Sequence, residues 1–269
     1  MSDPVFVNFE SMLTTPPDWP PGVGTKLKSP QNIDPRLLKA THNTLVWKEK
    51  SKTGIALVYK LYYRRGWVRW IRQQATQFKV EKEYLCLKHL LNNGIPCSVP
   101  IGWSKGISRP HQRYELLVTE AVDQAVAFDQ WLKQTSDTEA LNSMMSQLGK
   151  LVRRMHVTGF FHGALFTRNL LLGSTPDLET PTLYLIDTDM SGIYKRSLVG
   201  SKLAQLDLTH LLKDIHKKNA QVSLHHFMLA YGTPSEAVDE ELTKLLQAPK
   251  RPFHRNYNRA LAFFSRLLY

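Results

Sequence analysis

The chain has 269 residues with a formal charge of +12, and 42% of its residues are hydrophobic. This length is enough for one large domain or for two lobes that share a cleft. Glycine and proline contents are ordinary, and no apolar run reaches the roughly 18 residues of a membrane-spanning helix, so neither a largely disordered chain nor a spanning helix is expected. The N-terminus, MSDPVFVNFESML, lacks the basic start and apolar core of a signal peptide, so we expect a cytoplasmic protein.

The first half of the chain predicts mainly strands. Residues 1–30 contain the proline-rich stretch TTPPDWPPGVG and are expected to be irregular. THNTLVWKEK and GIALVYKLYY, separated by SKTG, predict a β-hairpin. Residues 67–93 have helical spacing that ends before Gly94, and YELLVTEAV (114–122) returns to strand character.

The second half predicts mainly helices. An apolar stripe runs through residues 139–159, and NLLLG with TLYLID predicts a small hairpin. Further helical patterns cover residues 201–219, 221–231 and 236–247, and a basic-aromatic segment follows. We therefore predict an α+β protein with a β-rich lobe in residues 1–120, an α-rich lobe in residues 121–269, and a cleft between them.

The two cysteines and the positive charge set limits on function. Cys86 and Cys97 lack metal-ligand spacing, which indicates reduced thiols. A basic surface attracts polyanions such as nucleic acid, anionic lipid headgroups or phosphorylated glycans. The same charge is equally consistent with ordinary solvated surface.

One lysine has the setting that phosphoryl transfer requires. This chemistry needs a cation on the nucleotide phosphates, oxygen ligands for Mg²⁺ and a group that orients the acceptor hydroxyl. In protein kinases the cation is a strand lysine in a VAIK setting, and ALVYK puts Lys60 at the end of an apolar strand. A helix carboxylate should pair with it. Glu83 is preferred because it lies four residues before Leu87 on the packed face, and Glu81 is the alternative.

The segment HGALFTRN supplies the second part of the pattern. It matches the kinase loop H-R-D-L-x-x-x-N at His162, Leu165 and Asn169, and the Asn169 amide oxygen suits Mg²⁺. LIDTD then puts Asp187 after an apolar strand, where the main metal-binding Asp is expected. Each match alone also fits a surface residue, a turn or chance. Their order along the chain, with the right elements between them, favours the kinase interpretation.

Several longer segments together resemble one family. They are LVYKLYYRRGWVRW, EKEYLCLKHLLNNGIPCSVPIGW, LGKLVRRMHVTGFFHGALFTRNLLL, LYLIDTDMSG, LAQLDLTHLL and FMLAYG. Over residues 41–232 the chain resembles the lipopolysaccharide core kinases, the WaaP-like and Kdo kinase family, which have a bilobal protein-kinase-like fold. The resemblance implies transfer of phosphate from ATP, with Mg²⁺, to a heptose or Kdo sugar of the inner core at the cytoplasmic face of the inner membrane. The family also lacks a strict glycine-rich phosphate loop, and VWKEKSKTGIALVYK has only Gly54.

The expected site follows from these matches. We expect catalytic roles for His162, Asn169 and Asp187, metal binding by Asn169 and Asp187, and nucleotide binding by Lys60, Glu83 and Glu120.

The chain departs from the family at one position. The family's loop is similar to HGDL, whose Asp orients or accepts the proton of the sugar hydroxyl, but here the loop is HGAL, with Ala164. General-base assistance contributes about 10²- to 10⁴-fold, so turnover is expected to be slow rather than forbidden. Asp189 is not expected to replace the missing Asp, because residues two apart on an extended strand lie about 6.5 Å apart.

Three hypotheses remain open. The first is an active sugar kinase with a displaced base. The second is a pseudokinase that binds ATP and Mg²⁺ through Lys60, Asn169 and Asp187 and regulates envelope assembly. The third is a nucleic-acid-binding protein, which is disfavoured because RRGWVRWIR already has a place in the kinase-like pattern. The basic residues of this segment either steer the protein to an anionic membrane or are ordinary surface; they are Arg64, Arg65, Arg69 and Arg72.

Overall fold

A computed structural model describes residues 37–41, 44–51, 54–65, 79–109, 112–173 and 181–248. The chain divides into two compact units, Met1–Leu85 with Val99–Ala121 and Cys86–Ser98 with Val122–Tyr269. The predicted proline-rich N-terminal segment and the basic-aromatic segment that closes the chain lie outside the described residues. The lobe boundary after residue 120 stays a prediction.

The first unit contains a five-stranded antiparallel sheet with strand order β1-β2-β3-β5-β4. Its strands are β1 Leu37–Ala40, β2 Thr44–Lys50, β3 Ala56–Arg65, β4 Pro100–Arg109 and β5 Gln112–Glu120. The predicted hairpin is confirmed by the pairing of β2 with β3, and the predicted strand near residue 114 is β5. Strand β4 is absent from the predictions, because its sequence PIGWSKGISR contains a proline and two glycines, which lower strand propensity.

The alternation of side chains in this sheet decides where Lys60 points. One face carries a buried apolar cluster of Leu45, Leu61, Leu116 and Val118. Leu61 lies opposite Leu45 on β2 and Leu116 on β5. Since neighbouring side chains on a strand point to opposite faces, Lys60 and Tyr62 share the other face of β3.

Helix α1, Lys79–Asn92, begins at a buried carboxylate. The carboxylate of Glu115 accepts hydrogen bonds from the backbone N–H groups of Lys79 and Val80, at 2.7 and 3.2 Å. The N–H groups in the first turn of a helix have no carbonyl partner within it, and their partial positive charge favours an anion. The helix ends before Gly94, whose φ of +65° supports the predicted stop. The predicted helical residues before Lys79 lie outside the described ranges.

The second unit contains five described helices. They are α2 Phe128–Gln134, α3 Thr138–Val157, α4 Lys202–Lys218, α5 Leu224–Tyr231 and α6 Val238–Gln247. The four helices predicted in this half are confirmed as α3 to α6, and α2 is an addition. No helix within the described ranges is both long and apolar enough to cross a bilayer.

Helix α3 is the central apolar helix of the second unit. The Asp137 side chain caps its start by accepting from the N–H groups of Glu139 and Ala140. The predicted stripe is buried: Leu141, Met145, Leu148, Leu151, Val152 and Met155. Gly149 allows α5 to approach, because a Cβ there would lie 2.3 Å from the carbonyl oxygen of Phe227.

Short strands before and after α3 border the loop segments that contain His162, Asn169 and Asp187. Strand β7, Phe160–Phe161, pairs with β10, Gly192–Ile193. The predicted small hairpin is confirmed, since β8, Leu170–Gly173, pairs antiparallel with β9, Thr182–Leu185. A two-residue strand, β6 Val126–Ala127, pairs with the other edge of β8.

Candidate active site

The first unit pairs the predicted strand lysine with the predicted helix carboxylate. Lys60 Nζ lies 2.8 Å from Glu83 Oε1, and the Tyr62 hydroxyl donates to Glu83 Oε2 at 3.2 Å. The Glu83 side chain is almost fully buried, whereas the Lys60 side chain keeps 17% of its surface exposed. Of the two candidates, Glu83 rather than Glu81 therefore holds Lys60. A buried carboxylate with two donors fixes the direction of the ammonium group.

Glu120 lies at the last position of β5, opposite Leu57 of β3. Its backbone N–H donates to the carbonyl of Val99 at 2.8 Å. Within the described residues its carboxylate forms no hydrogen bond or ion pair, so the structure does not join it to the Lys60–Glu83 pair. Its expected role in nucleotide binding stays a prediction.

The catalytic-type loop of the second unit turns sharply at Gly163. Gly163 has a φ of +74°, and a Cβ there would lie 2.5 Å from the carbonyl oxygen of Met190, so glycine is required. His162 before it is fully buried, and its Nε2 lies 3.2 Å from the carbonyl oxygen of Ile186. Burial lowers the pKa of His162. The negative charge of Asp207 offsets part of this decrease. A neutral ring donating from Nε2 fits this contact.

Asp207 of α4 holds the backbone of this turn and is missing from the predicted site. Its Oδ2 accepts from the N–H of His162 at 2.8 Å, and its Oδ1 accepts from the N–H of Gly163 at 2.9 Å. His156 Nε2 lies 3.4 Å from the same Oδ2, and His156 Nδ1 lies 2.8 Å from the Tyr231 hydroxyl. Asp207 and His156 have no exposed surface. The sequence did contain a signal for this role. Asp207 lies within the apolar pattern LAQLDLTHLL, where a solvated carboxylate is not expected.

Ala164 contributes its backbone rather than its side chain. Its carbonyl oxygen accepts from the Asn169 side-chain Nδ2 at 2.8 Å and from the Phe166 N–H at 2.9 Å. Asn169 is 5% exposed, and this contact commits its amide nitrogen. Its Oδ1 forms no hydrogen bond within the described residues and so keeps its lone pairs for a cation.

The β8–β9 hairpin brings Asn169 and Asp187 to one end. Leu170 lies opposite Leu185, and the Ile186 N–H donates to the Asn169 carbonyl at 3.0 Å. Asp187 follows directly, half-buried, with a φ of +59°. Left-handed backbone at a non-glycine residue is uncommon, although Asp tolerates it better than most residues. His162, Asn169 and Asp187, which the sequence predicted together, therefore converge on this hairpin end.

Asp189 does not lie on the extended strand that the sequence predicts. Thr188–Met190 form a 3-10 turn directly after Asp187. The spacing of about 6.5 Å for alternate strand residues therefore does not apply. That Asp189 does not replace the missing Asp stays a prediction.

A second polar network holds the loop at Thr167. The Thr167 N–H and hydroxyl both donate to Asp214 Oδ2 of α4, and Lys218 Nζ donates to the Thr167 hydroxyl at 2.6 Å. Lys218 also lies 3.2 Å from Asp129 of α2. Burial raises the pKa of Asp214, but the hydrogen bonds from Thr167 and the charge of Lys218 outweigh it, so its pKa is lowered overall.

An Asp214→Ala variant is expected to lose about 1–3 kcal/mol of unfolding free energy, because Thr167 and Lys218 lose their shared acceptor. Urea denaturation measures the loss. Asp239→Ala, at an exposed carboxylate in the first turn of α6, is the matched control and should lose no more than about 0.5 kcal/mol. Equal losses in the two variants would contradict the structural role of this network.

The depressed pKa of Asp214 also fixes the sign of its pH dependence. Its contribution is fully present above the unfolded-state pKa and is lost as pH falls through the lower folded-state pKa. The difference between the unaltered chain and Asp214→Ala should therefore shrink only under strongly acidic conditions.

The residues present fit a divalent cation shared with phosphate oxygens. No group of three or more His, Cys, Asp and Glu side chains in the described part of the chain could hold a metal by itself. The hairpin end instead offers an amide oxygen, from Asn169, and a carboxylate, from Asp187. Mg²⁺ is commonly held by one or two protein oxygens together with substrate phosphates.

Comparisons with known proteins identify the family and the fold. The model of the lipopolysaccharide kinase (Kdo/WaaP) family matches residues 40–231. No curated protein matches the sequence. A solved structure described as WaaP in complex with acyl carrier protein is similar, with a TM-score of 0.57 and 15% identity, over 87% of this chain and 89% of that chain. At this identity the likeness shows the fold alone, and it confirms the predicted α+β protein-kinase-like fold. Because the family model spans well over half of its length, the chain belongs to the lipopolysaccharide kinase (Kdo/WaaP) family.

Proposed function

We propose that the protein binds ATP with Mg²⁺ and transfers phosphate slowly to a sugar hydroxyl, of heptose or Kdo, in the lipopolysaccharide inner core. Membership of the family supports the reaction class and the lipopolysaccharide substrate. The observation that carries the proposal is the hairpin end where Asn169 and Asp187 meet a loop held by Asp207. This assignment puts the reaction on the cytoplasmic side of the inner membrane, which cell fractionation tests.

Lys60 is proposed to neutralise the nucleotide phosphates. Its ammonium group is held by Glu83, yet part of the side chain remains exposed. A lysine that is both oriented and accessible loses little entropy when it contacts an anion. Replacing it would also leave the buried Glu83 carboxylate without its cation, so a stability measurement must accompany every binding measurement.

Asn169 and Asp187 are proposed as the ligands of Mg²⁺. The Asn169 amide is fixed by the Ala164 carbonyl, which turns the amide oxygen away from that contact. When bound, Mg²⁺ supplies charge neutralisation on the nucleotide phosphates. His162 is proposed to act on Asp187 indirectly, because it contacts the preceding carbonyl, that of Ile186.

Ala164 is the reason for the slow rate. An alanine methyl group neither accepts a proton nor orients a hydroxyl. Positioning and electrostatic stabilisation still operate, and these carry most of the catalysis in phosphoryl transfer. The deficit expected from the missing carboxylate is about 10²- to 10⁴-fold.

The same residue favours one alternative function. If transfer is absent rather than slow, the protein is a pseudokinase whose bound nucleotide stabilises a form that contacts a partner in envelope assembly. Incubation with radiolabelled ATP, Mg²⁺ and inner-core glycan separates the two functions. Label in the glycan supports the kinase, whereas nucleotide binding with no label above the protein-free rate supports the alternative.

ATP with Mg²⁺ is expected to raise the melting temperature by about 5–10 °C. A ligand at 100 times its Kd adds about 2.7 kcal/mol to the folded state, and about 2–4 °C follow per kcal/mol in a protein of this size. Asp187→Asn should remove the part of the shift that depends on Mg²⁺. Differential scanning fluorimetry with ATP alone, Mg²⁺ alone and both measures each part.

Asp189→Asn is the matched control for this prediction, since it makes the same chemical change two residues away. It is expected to keep the Mg²⁺-dependent shift. If both variants kept it, Asp187 would not be a metal ligand, and if only Asp189→Asn lost it, the roles of the two carboxylates would be reversed.

A further inference from the structure

A cavity of about 400 Å³, widely open to solvent, lies on the second unit. Three cations line it, all on α3: Lys150, Arg153 and Arg154. The rest of the lining comes from Asn93, Val157, Thr158 and Ala230. Among the residues that the structure describes, its lining includes no carboxylate and shares no residue with the Asn169–Asp187 hairpin end.

The two arginines are held in place by backbone carbonyls. Arg153 donates to the carbonyl of Tyr231 at 2.6 Å, and Arg154 donates to the carbonyl of Gly94 at 2.6 Å. A guanidinium has five N–H donors, so each arginine keeps most of its donors for another partner. Because one contact already orders each side chain, binding an anion there costs less conformational entropy than at a free arginine.

The cations of this cavity lack carboxylate partners in the described part of the chain. None of its three cations forms an ion pair with a carboxylate among the described residues, whereas Lys60, Lys218 and Lys244 all do. Lys150 lies three residues before Arg153 and four before Arg154, which puts like charges on one helix face and disfavours the helix. Cations near a helix C-terminus interact favourably with the macrodipole, which accounts for Arg154 in the last turn of α3 but not for Lys150, one turn earlier.

We propose that this cavity binds the phosphate group of a phosphorylated ligand. Planar guanidinium groups and an ammonium group match the oxygens of a phosphate, and the cavity volume is in the range of small-ligand sites. The phosphate belongs either to a soluble phosphorylated molecule or to a lipid headgroup, since the same cations recognise both. The proposal stands independently of ATP binding, because it uses none of the residues assigned to nucleotide or metal.

Lys150 offers a test with little risk to folding, because its side chain is exposed and forms no hydrogen bond or ion pair with any described residue. Lys150→Glu is expected to weaken binding of inorganic pyrophosphate, without divalent metal, by about tenfold, and Lys150→Gln by about threefold. Isothermal titration calorimetry measures both. Lys202→Glu, at an exposed lysine in the first turn of α4, makes the same charge change elsewhere on this unit and should change the affinity by less than about twofold.

Sedimentation with phosphatidylcholine vesicles, with and without phosphatidic acid, identifies the source of the phosphate. Pyrophosphate binding that depends on Lys150, without vesicle binding, supports a soluble ligand. Binding to phosphatidic acid vesicles that depends on Lys150 supports a lipid headgroup. If Lys150→Glu and Lys202→Glu weaken both kinds of binding equally, or if the unaltered protein binds neither probe, the proposal is overturned.

Discussion

An Ala164→Asp variant is expected to transfer phosphate from ATP about 10²- to 10⁴-fold faster than the unaltered chain. The gain is the usual contribution of a positioned general base in a site where the other groups are already in place. The initial rate of radiolabel transfer to inner-core glycan measures it. The largest part of the gain should appear in kcat, because the carboxylate acts on the proton that moves in the transition state.

The loop is suited to accept this substitution. Asn169 and Phe166 bond to the carbonyl of residue 164, which every amino acid provides. The Ala164 side chain is only slightly exposed, so the added carboxylate needs room, and a thermal melt must show that the variant stays folded. A stability loss of up to about 3 kcal/mol from overpacking would still leave the rate comparison meaningful if the variant is folded at the assay temperature.

Ala164→Asn is the control for shape, because it has nearly the same volume as Asp but cannot accept the proton as a base. It should stay within about tenfold of the unaltered chain. A folded Ala164→Asp protein that binds ATP and shows no gain would contradict the assignment of residue 164 as the missing base. An equal gain in both variants would show that packing, and not proton transfer, limits the rate.

Removal of the Asp207 carboxylate is expected to cost about 3–5 kcal/mol of unfolding free energy. An Asp207→Ala variant leaves the N–H groups of His162 and Gly163 buried without an acceptor and removes the carboxylate beside His156. Since whole domains have about 5–15 kcal/mol, this is a large fraction of the total. Denaturant titration followed by tryptophan fluorescence measures the change in midpoint.

Asp207→Asn tests whether the charge or the shape matters. Its amide oxygen accepts from one of the two N–H groups while its NH₂ group opposes the other, so an intermediate loss is expected. A loss below about 1 kcal/mol in Asp207→Ala would show that the loop backbone finds other partners. If a folded Asp207→Asn protein shows a smaller Mg²⁺-dependent increase in melting temperature with ATP, the turn positions the metal ligands.

Local pattern was sufficient to predict several parts of this molecule. The helical spacing that selected Glu83 over Glu81 depends only on which residues of one helix face the sheet. The β2–β3 hairpin and the β8–β9 hairpin each pair strands that follow one another along the chain, so their pairing follows from apolar patterns that are close in sequence. These features involve residues close in sequence, where propensity and periodicity decide the structure.

The missed features depend on contacts between distant residues. Asp207 bonds to backbone groups 45 and 44 residues away, and nothing in its own helix shows which loop it will meet. Strand β4 forms against β5 despite its glycines, because the neighbouring strand supplies the ladder. The strand assumed at Asp189 is a 3-10 turn, because the left-handed residue before it redirects the chain.

The carbonyl that Ala164 presents to Asn169 has an evolutionary consequence. Since residue 164 takes part in that contact only through its main chain, a mutation at this codon alters the chemistry of the loop while keeping this hydrogen bond. Two of the four alanine codons are one nucleotide away from an aspartate codon, so a lineage carrying this loop with such a codon gains or loses the acid in a single step.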